Sequence, residues 1–374
     1  MSEGLQEERL VTETVTINIG PHHPSTHGIF RMLVTLDGET VVDIEPKMGY
    51  LHRGIEKLAE SRTYLQIIPL VDRLDYVCPM TNEHAYSLAV EKLAGLQVPE
   101  RAEYIRVIMA ELTRIMSHMM AVGFLWNELG ATFTPMIYVY RQRENLQDLF
   151  EMVSGARMFH NYIRPGGVAA DLPAGWLERA QKTVDVLERF LDEFEELTAE
   201  NEIFLARAIG VGVLPASTAI NCSVSGPVLR ASGVAYDIRR VEPYSIYDRF
   251  EWDVPTQPHG DTYDRYRQYL AEMRESLRII RQAMRGLPAG PVFDEKARRL
   301  RPPVGEAYSR IESPKGDLGF YLVSDGSPQP YRLRIRSTCQ INLTALKQMV
   351  VGHSIQDLVI IFGSINATVA DIDR

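Results

Sequence analysis

The 374-residue chain predicts an α+β fold, mainly α, on three observations. Apolar residues alternate with period two near the N-terminus, recur with helical period through the middle, and alternate again near the C-terminus. In the first stretch Val15, Ile17 and Ile19 alternate with Thr14, Thr16 and Asn18, the pattern of a half-buried strand. IFRMLVTL and ETVVDIEP then flank Asp37-Gly38, a hairpin signal because glycine adopts the positive φ that such turns need. Residues 1–46 are therefore expected to form an antiparallel sheet.

From about residue 80 the period becomes helical. Pro99 suits a helix start, and Ile105, Ile108, Leu112, Ile115, Met116 and Met119 mark one apolar face. A second long helix follows Gly175, with Leu177, Ala180, Val184, Leu187, Leu191, Phe194 and Leu197 at spacings of three or four. A third spans 262–285 and stops at Gly286-Leu287-Pro288. Residues 47–287 thus predict a central bundle of long helices. The proline- and arginine-rich stretch 288–314 reads as an extended connection. Strands at 319–324 and 331–335 flank a DGSPQP turn, and Thr344 to Val351 suggests one short helix. With no internal repeat, one domain over 1–374 is expected, in three parts: 1–46, 47–287 and 288–374.

Composition excludes several functions. With 45% hydrophobic and 24% charged residues the chain can bury a sizeable core. A formal net charge of -9, without a local basic patch, gives no footprint for nucleic acid. Uninterrupted apolar runs such as Leu358 to Phe362 fall far short of the roughly 20 residues of a membrane span, and Arg106, Glu111, Arg114 and His118 interrupt the most apolar helix. The segment MSEGLQEERLVTE lacks the apolar h-region of a secretory signal, so a cytosol-facing location is expected. Cys78, Cys222 and Cys339 lie far apart, none in a CxxC pair. That argues against a disulfide framework or a self-contained iron-sulfur or zinc site.

One short segment stands out. Residues 20–28 read GPHHPSTHG, directly after the first strand. His23 and His27 have the spacing of an HxxxH zinc pair, but Pro24 and Gly20-Pro21 oppose a helix there, and His52 is a weak further ligand. A turn with Ser25 and Thr26 bonded to local backbone is a second reading. A rigid strand-end loop that presents donors to a ligand is the third. The residues alone leave the last two open.

Along the chain, GPHHPSTHG, GYLHRGIEKL (49–58), DRLDY (72–76), SGARM (154–158), YIRPGGV (162–168), SGPVLRASG (225–233), DRFEWDVP (248–255), SPKGDLG (313–319) and DIDR (371–374) recur in order. Together they resemble the signatures of the hydrogenase-like 49 kDa, or D-type, subunit family of respiratory complex I, NADH:quinone oxidoreductase. The resemblance covers essentially the whole chain. It implies a fold like the large subunit of nickel-iron hydrogenases and a role as a peripheral-arm subunit of a proton-pumping enzyme, active only in the assembled complex.

The resemblance also implies a site. A quinone headgroup would be held between His27 and Tyr76, with His23, Cys78 and Met120 around the chamber. Glu128, in NELGA, stands where the family usually has aspartate and would orient the histidine. His27, Tyr76 and Glu128 are thus the implied catalytic residues, and no metal ligand is among them. The residue types suit the chemistry. A quinone takes up two electrons and two protons, and imidazole near pKa 6.5 and phenol near 10 can both donate to its oxygens at neutral pH. Arg73 would approach the terminal iron-sulfur cluster of a neighbouring subunit.

Many members carry a histidine after SGARM that bonds near that cluster; here the position is Phe159, followed by His160. If the segment is helical, one residue is a turn of about 100 degrees, so His160 is not expected to replace it. A cluster of low potential and weak pH dependence follows, suited to menaquinone. The chain would hold no cofactor itself. Its expected partners are the cluster-bearing subunit, a peripheral subunit of the C type and the quinone-channel membrane subunit, with the chain peripheral on the cytoplasmic face of an energy-transducing membrane. The C-terminal part departs from the family: STCQINL replaces a PGF-containing turn, and INATVADIDR replaces a more acidic ending.

Two other functions compete. A nickel-iron hydrogenase needs two CxxC pairs for its metals, and both are missing. A non-catalytic scaffold would have no need of His27, Tyr76 and a carboxylate at position 128 together.

Overall fold

The computed structural model describes residues 13–22, 26, 28–131 and 134–374. Strands β1 (Val15–Ile19), β2 (Arg31–Asp37) and β3 (Thr40–Lys47) form an antiparallel sheet in that order. The Asp37–Thr40 pair closes the expected tight turn, with Gly38 at φ 61°. Alternation then decides the faces: Met32, Val34, Leu36, Val41 and Ile44 are buried.

The helical part runs through α1 (Ile55–Ala59), α2 (Tyr64–Val71), α3 (Pro79–Ala94), α4 (Glu100–Glu128) and α5 (Thr134–Ser154). A two-strand ladder, β4 (Ile163–Arg164) and β5 (Gly167–Val168), leads to α6 (Trp176–Thr198). Four short helices, α7 (Glu202–Ala208), α8 (Ala216–Asn221), α9 (Pro227–Arg230) and α10 (Ile238–Val241), precede α11 (Thr262–Gly286). Helix α4 lies at the centre, packed on α3, α5 and α11. By length and composition it could cross a membrane, yet 94% of its most apolar window is buried inside the protein.

Four ionisable residues in the middle of α4 are buried with it and find partners. The Arg106 guanidinium meets Glu91 at 2.5 Å, and Glu111 meets Arg239 at 3.0 Å. Arg114 donates to the Ser313 carbonyl at 3.0 Å, and His118 lies 3.0 Å from Glu272. Burying a charge is tolerable only with such partners.

The C-terminal part differs from the expected one. The second half of the supposed connection is a strand, β6 (Gly305–Ser313), paired with β7 (Gly316–Ser324), which pairs with β8 (Arg332–Arg336). Its alternation is masked because the polar Glu312 and Ser313 are buried among partners rather than exposed. Helices α12 (Thr338–Asn342), α13 (Leu346–Val350), α14 (Ile355–Ser364) and α15 (Val369–Asp373) follow. The single helix expected over 344–351 corresponds to α13 and the 3-10 turn before it.

Three apolar clusters result. One fills the space among α4, α5, α6 and α11, and a second lies between the N-terminal sheet and residues 343–372. The third joins α1 to α3 with β6 to β8.

Candidate functional site

The clusters leave a cavity of about 220 Å³ between them. Met116, Met120, Phe124 and Glu128 line it from α4. Their spacing of four puts them on one face of the helix. Tyr76 and Val77 enter from the turn before α3 and Pro79 from its first position, Tyr140 and Arg143 from α5, and Arg157, Met158 and His160 from the segment after it. Residues 362–363 and 366–369 close the far side.

The histidine loop borders this space through its described ends. Gly20, at φ 79°, admits no side chain, because a Cβ would stand 2.1 Å from the Phe30 carbonyl oxygen. The Thr26 hydroxyl donates to the Pro21 carbonyl at 3.0 Å, and the amides of Ile29 and Phe30 both donate to the Thr26 carbonyl at 3.1 Å. Ile29 lines the cavity, and the Phe30 ring stacks at 4.8 Å on Phe362, another lining residue. His23 and His27 themselves lie outside the described residues.

Tyr76 is 37% exposed, so it can be reached from the cavity. Burial raises its pKa above the ordinary phenol value, partly opposed by the positive charge of Lys315. Glu128 is the last residue of α4, and burial alone pushes its carboxyl up to about 7. Met120 is a buried part of the wall. Cys78 sits behind that wall rather than in it: its neighbours Val77 and Pro79 line the cavity, while its own buried thiol is pushed up by desolvation and Asp75.

Arg73 pairs with neither acidic neighbour. Asp72 accepts the amide of Asn161 at 3.1 Å, and Asp75 is bound to Lys315 at 2.7 Å. The Arg73 guanidinium donates to the Pro69 carbonyl at 2.7 Å and lies 4.3 Å above the Phe159 ring. The segment carrying Phe159 is not helical, so the expected rotation of 100 degrees per residue does not apply there. Phe159 and Asn161 have φ of 59° and 47°, so side-chain directions follow left-handed turns. His160 thereby turns inward. Its Nε2 lies 3.3 Å from the Arg157 carbonyl, its ring 5.0 Å from Phe150, and burial pulls it down to about 4, leaving it neutral.

The structure thus brings together Tyr76, Met120 and Glu128, adds His160, which the sequence reading named only as an unlikely replacement for the family histidine, and adds residues that sequence reasoning missed: Tyr140, Arg143, Arg157 and Thr368. Tyr140 and Arg143, three apart on α5, carry a helical signal, but α5 is too weakly amphipathic for its buried face, which includes Gln142 and Gln147, to stand out. His52, weighed above as a metal ligand, faces the Asp373 carbonyl at 2.7 Å. Among the described residues no three His, Cys, Asp or Glu side chains converge as metal ligands would.

Comparison with known proteins gives a consistent picture. The family model for the 49 kDa subunit of respiratory-chain NADH dehydrogenase matches residues 128–302 and 293–374, and that for nickel-dependent hydrogenase matches 53–124. The second match agrees with a hydrogenase-large-subunit-like domain. The D subunit of NADH-quinone oxidoreductase from Dehalococcoides mccartyi is 59% identical over 97% of this chain and 99% of its own length. The first of the D subunits of Roseiflexus sp. is 55% identical over 98% of this chain and 100% of its own, and the D subunit of Carboxydothermus hydrogenoformans 48% over 97% and 100%. The chain belongs to the family of the 49 kDa subunit of respiratory-chain NADH dehydrogenase and is a subunit of an oxidoreductase.

Proposed function

We propose that the cavity beside Tyr76 is where a quinone is reduced, within the peripheral arm of a proton-pumping NADH:quinone oxidoreductase and next to an iron-sulfur cluster held by a partner subunit. The observation that carries this reading is the convergence of Tyr76, Met120 and Glu128 on one largely apolar cavity bordered by the ends of the histidine loop. Apolar walls suit the ring and the start of an isoprenoid tail, and a few convergent polar groups suit the two carbonyl oxygens. In this reading Tyr76 donates to one oxygen, and His27, with Glu128 as its orienting carboxylate, to the other. Cys78 supports the chamber from behind, and His23 stands in the same loop as His27. Electrons arrive singly from the partner's cluster, which Arg73 approaches.

The partners are the cluster-bearing subunit, a peripheral subunit of the C type and a membrane subunit that admits the quinone tail. The chain is then peripheral on the cytoplasmic face of the membrane. Phe159 occupies the position of a titrating group, and His160 is neutral and turned into the cavity. Both support a cluster whose potential depends weakly on pH, and menaquinone as substrate. A redox titration of the cluster across neutral pH should be nearly flat; a slope approaching about 59 mV per pH unit would overturn that part. The site itself is tested by photolabelling the intact complex with an azido-quinone. Adducts should fall on peptides containing Tyr76, Met120 or residues 362–369 and disappear with excess quinone, whereas labelling confined to other subunits would contradict the reading.

A further inference from the structure

Asp72 and Glu83 form a buried acid pair beside the site. Asp72 is the C-cap of α2, Glu83 lies in the second turn of α3, and neither exposes any surface. Both hold the same stretch of backbone. Oδ2 of Asp72 accepts the Asn161 amide at 3.1 Å, and Oε2 of Glu83 accepts the amides of Tyr162 and Ile163 at 2.9 and 2.6 Å. Three consecutive N–H groups thus converge on two carboxyls, which sets the carboxyls side by side. The remaining oxygens, Oδ1 of Asp72 and Oε1 of Glu83, are buried and accept from no donor among the described residues. The two side chains are hydrogen-bonded to each other. Such a bond needs a hydrogen between the oxygens, because ionised carboxylates only accept.

The charged and titratable groups around the pair are engaged elsewhere. Arg73 acts on Asp72 from the next residue, but its guanidinium is turned to the Pro69 carbonyl and the Phe159 ring. On α3 and α4, Glu91 is bound to Arg106, and His84 faces the Ser245 hydroxyl at 3.0 Å. After α2, Asp75 is bound to Lys315 of the β6–β7 turn. In the segment after α5, Arg164 donates to the Asn161 carbonyl at 3.0 Å, and His160 is neutral. Burial and then the neighbouring Asp72 push the Glu83 carboxyl well above the usual range, and burial raises Asp72 as well. Two adjacent carboxylates without a bound countercharge do not both ionise.

We propose that Asp72 and Glu83 share one proton and act as a positioning pair, whose O–H···O bond fixes the turn that sets Phe159 against Arg73 and His160 in the cavity wall. The proton belongs to the pair, with the negative charge toward Asp72, the partner that Arg73 favours. One negative charge suits the converging N–H groups. Only the statement that this turn serves quinone reduction rests on the reading above; the shared proton does not.

The test is hydrogen exchange of the peptide that contains Asn161 to Ile163, in the intact complex, followed from acid to alkaline pH and corrected for the intrinsic rate. In the parent, protection should fall as pH rises, because loss of the proton leaves two carboxylates facing each other. The infrared band of a protonated carboxyl should fade over the same range. Asp72→Asn and Glu83→Gln each put an amide hydrogen where the shared proton was, so each should keep protection at every pH and lack the fading band. With both changes two NH2 groups meet and no acceptor remains between them. Exchange should then be about tenfold faster or more than in either single variant, the equilibrium effect of losing a hydrogen bond to a charged group. Quinone kcat should fall with it, while reduction of an upstream artificial acceptor is kept. Protection independent of pH in the parent would overturn the proposal, as would a double variant as protected as the single ones. Lost protection in both single variants would do the same, because charge alone would then hold the turn. A double variant that loosens the turn yet keeps quinone kcat would overturn the positioning role. If Tyr76→Phe alone spares quinone reduction, the quinone reading falls, while the shared proton is still decided by exchange.

Discussion

At the scale of single residues, Glu128 carries the clearest pH signature. Its carboxyl is raised to about 7 from an ordinary 4.5 by burial, so between those values the folded chain holds a proton that the unfolded chain releases. Its contribution to stability therefore falls as pH rises through that window and is lowest above it. Glu128→Gln should abolish both effects of ionisation. The pH profile of quinone kcat/KM should lose an inflection near 7, and stability should fall less steeply between about pH 5 and 7. An unchanged inflection in the variant would assign it to another group. At this scale the site was partly legible. The stripe Met116, Met120, Phe124 and Glu128 follows from helical spacing once α4 is known. His160 was not legible, because left-handed turns at Phe159 and Asn161 decide where it points, and phenylalanine, unlike asparagine, is not a residue type that announces such a turn.

At the scale of elements, α6 and α11 could be read from their amphipathic faces, and α4 from its long run of apolar residues at helical spacing. Helix α5 and strand β6 could not. Polar residues on buried surfaces break the periodicity of both: Gln142 and Gln147 in α5, Glu312 and Ser313 in β6. The core of the bundle shows why such residues are tolerated. Arg230, fully buried, is held by Glu272 at 2.7 Å and Glu312 at 2.8 Å, and Glu272 also faces His118 at 3.0 Å. Glu272→Ala would leave Arg230 short of a countercharge, a change that costs about 3–5 kcal/mol when a buried pair is broken. The expected outcome is a complex that assembles poorly or loses this chain on mild heating. Normal assembly and heat resistance would show that Glu312 and Asp237, also within reach of Arg230, suffice.

At the scale of the whole molecule, distant motifs meet. The tail at 371–374 is bound to the segment at 49–58: Asp373 accepts the amides of Gly49 at 2.8 Å and Leu51 at 2.7 Å, and the Arg374 carbonyl accepts those of Arg53 at 3.1 Å and Gly54 at 3.2 Å. Val41 of the N-terminal sheet exchanges backbone hydrogen bonds with His353 and Gly352 at 2.9 Å. These contacts place residues 362–369 against α4 and complete the cavity. No local pattern foretells pairings across some 300 residues, so the place of the C-terminal segment could be read only from the folded chain. Its role as one wall of the site explains how Tyr76, in the first quarter of the chain, comes to face residues near the end.

The central claim, that this cavity reduces quinone, is tested most directly by Tyr76→Phe in intact membranes, with quinone reduction compared with an artificial acceptor that takes electrons upstream. Losing one hydroxyl donor, worth about 1.4 kcal/mol or more, should lower inhibitor-sensitive quinone reduction by about tenfold or more. Upstream electron transfer should be untouched. Equal quinone turnover in the variant and the parent would contradict the account and leave the chain as a scaffold between electron-carrying and membrane partners.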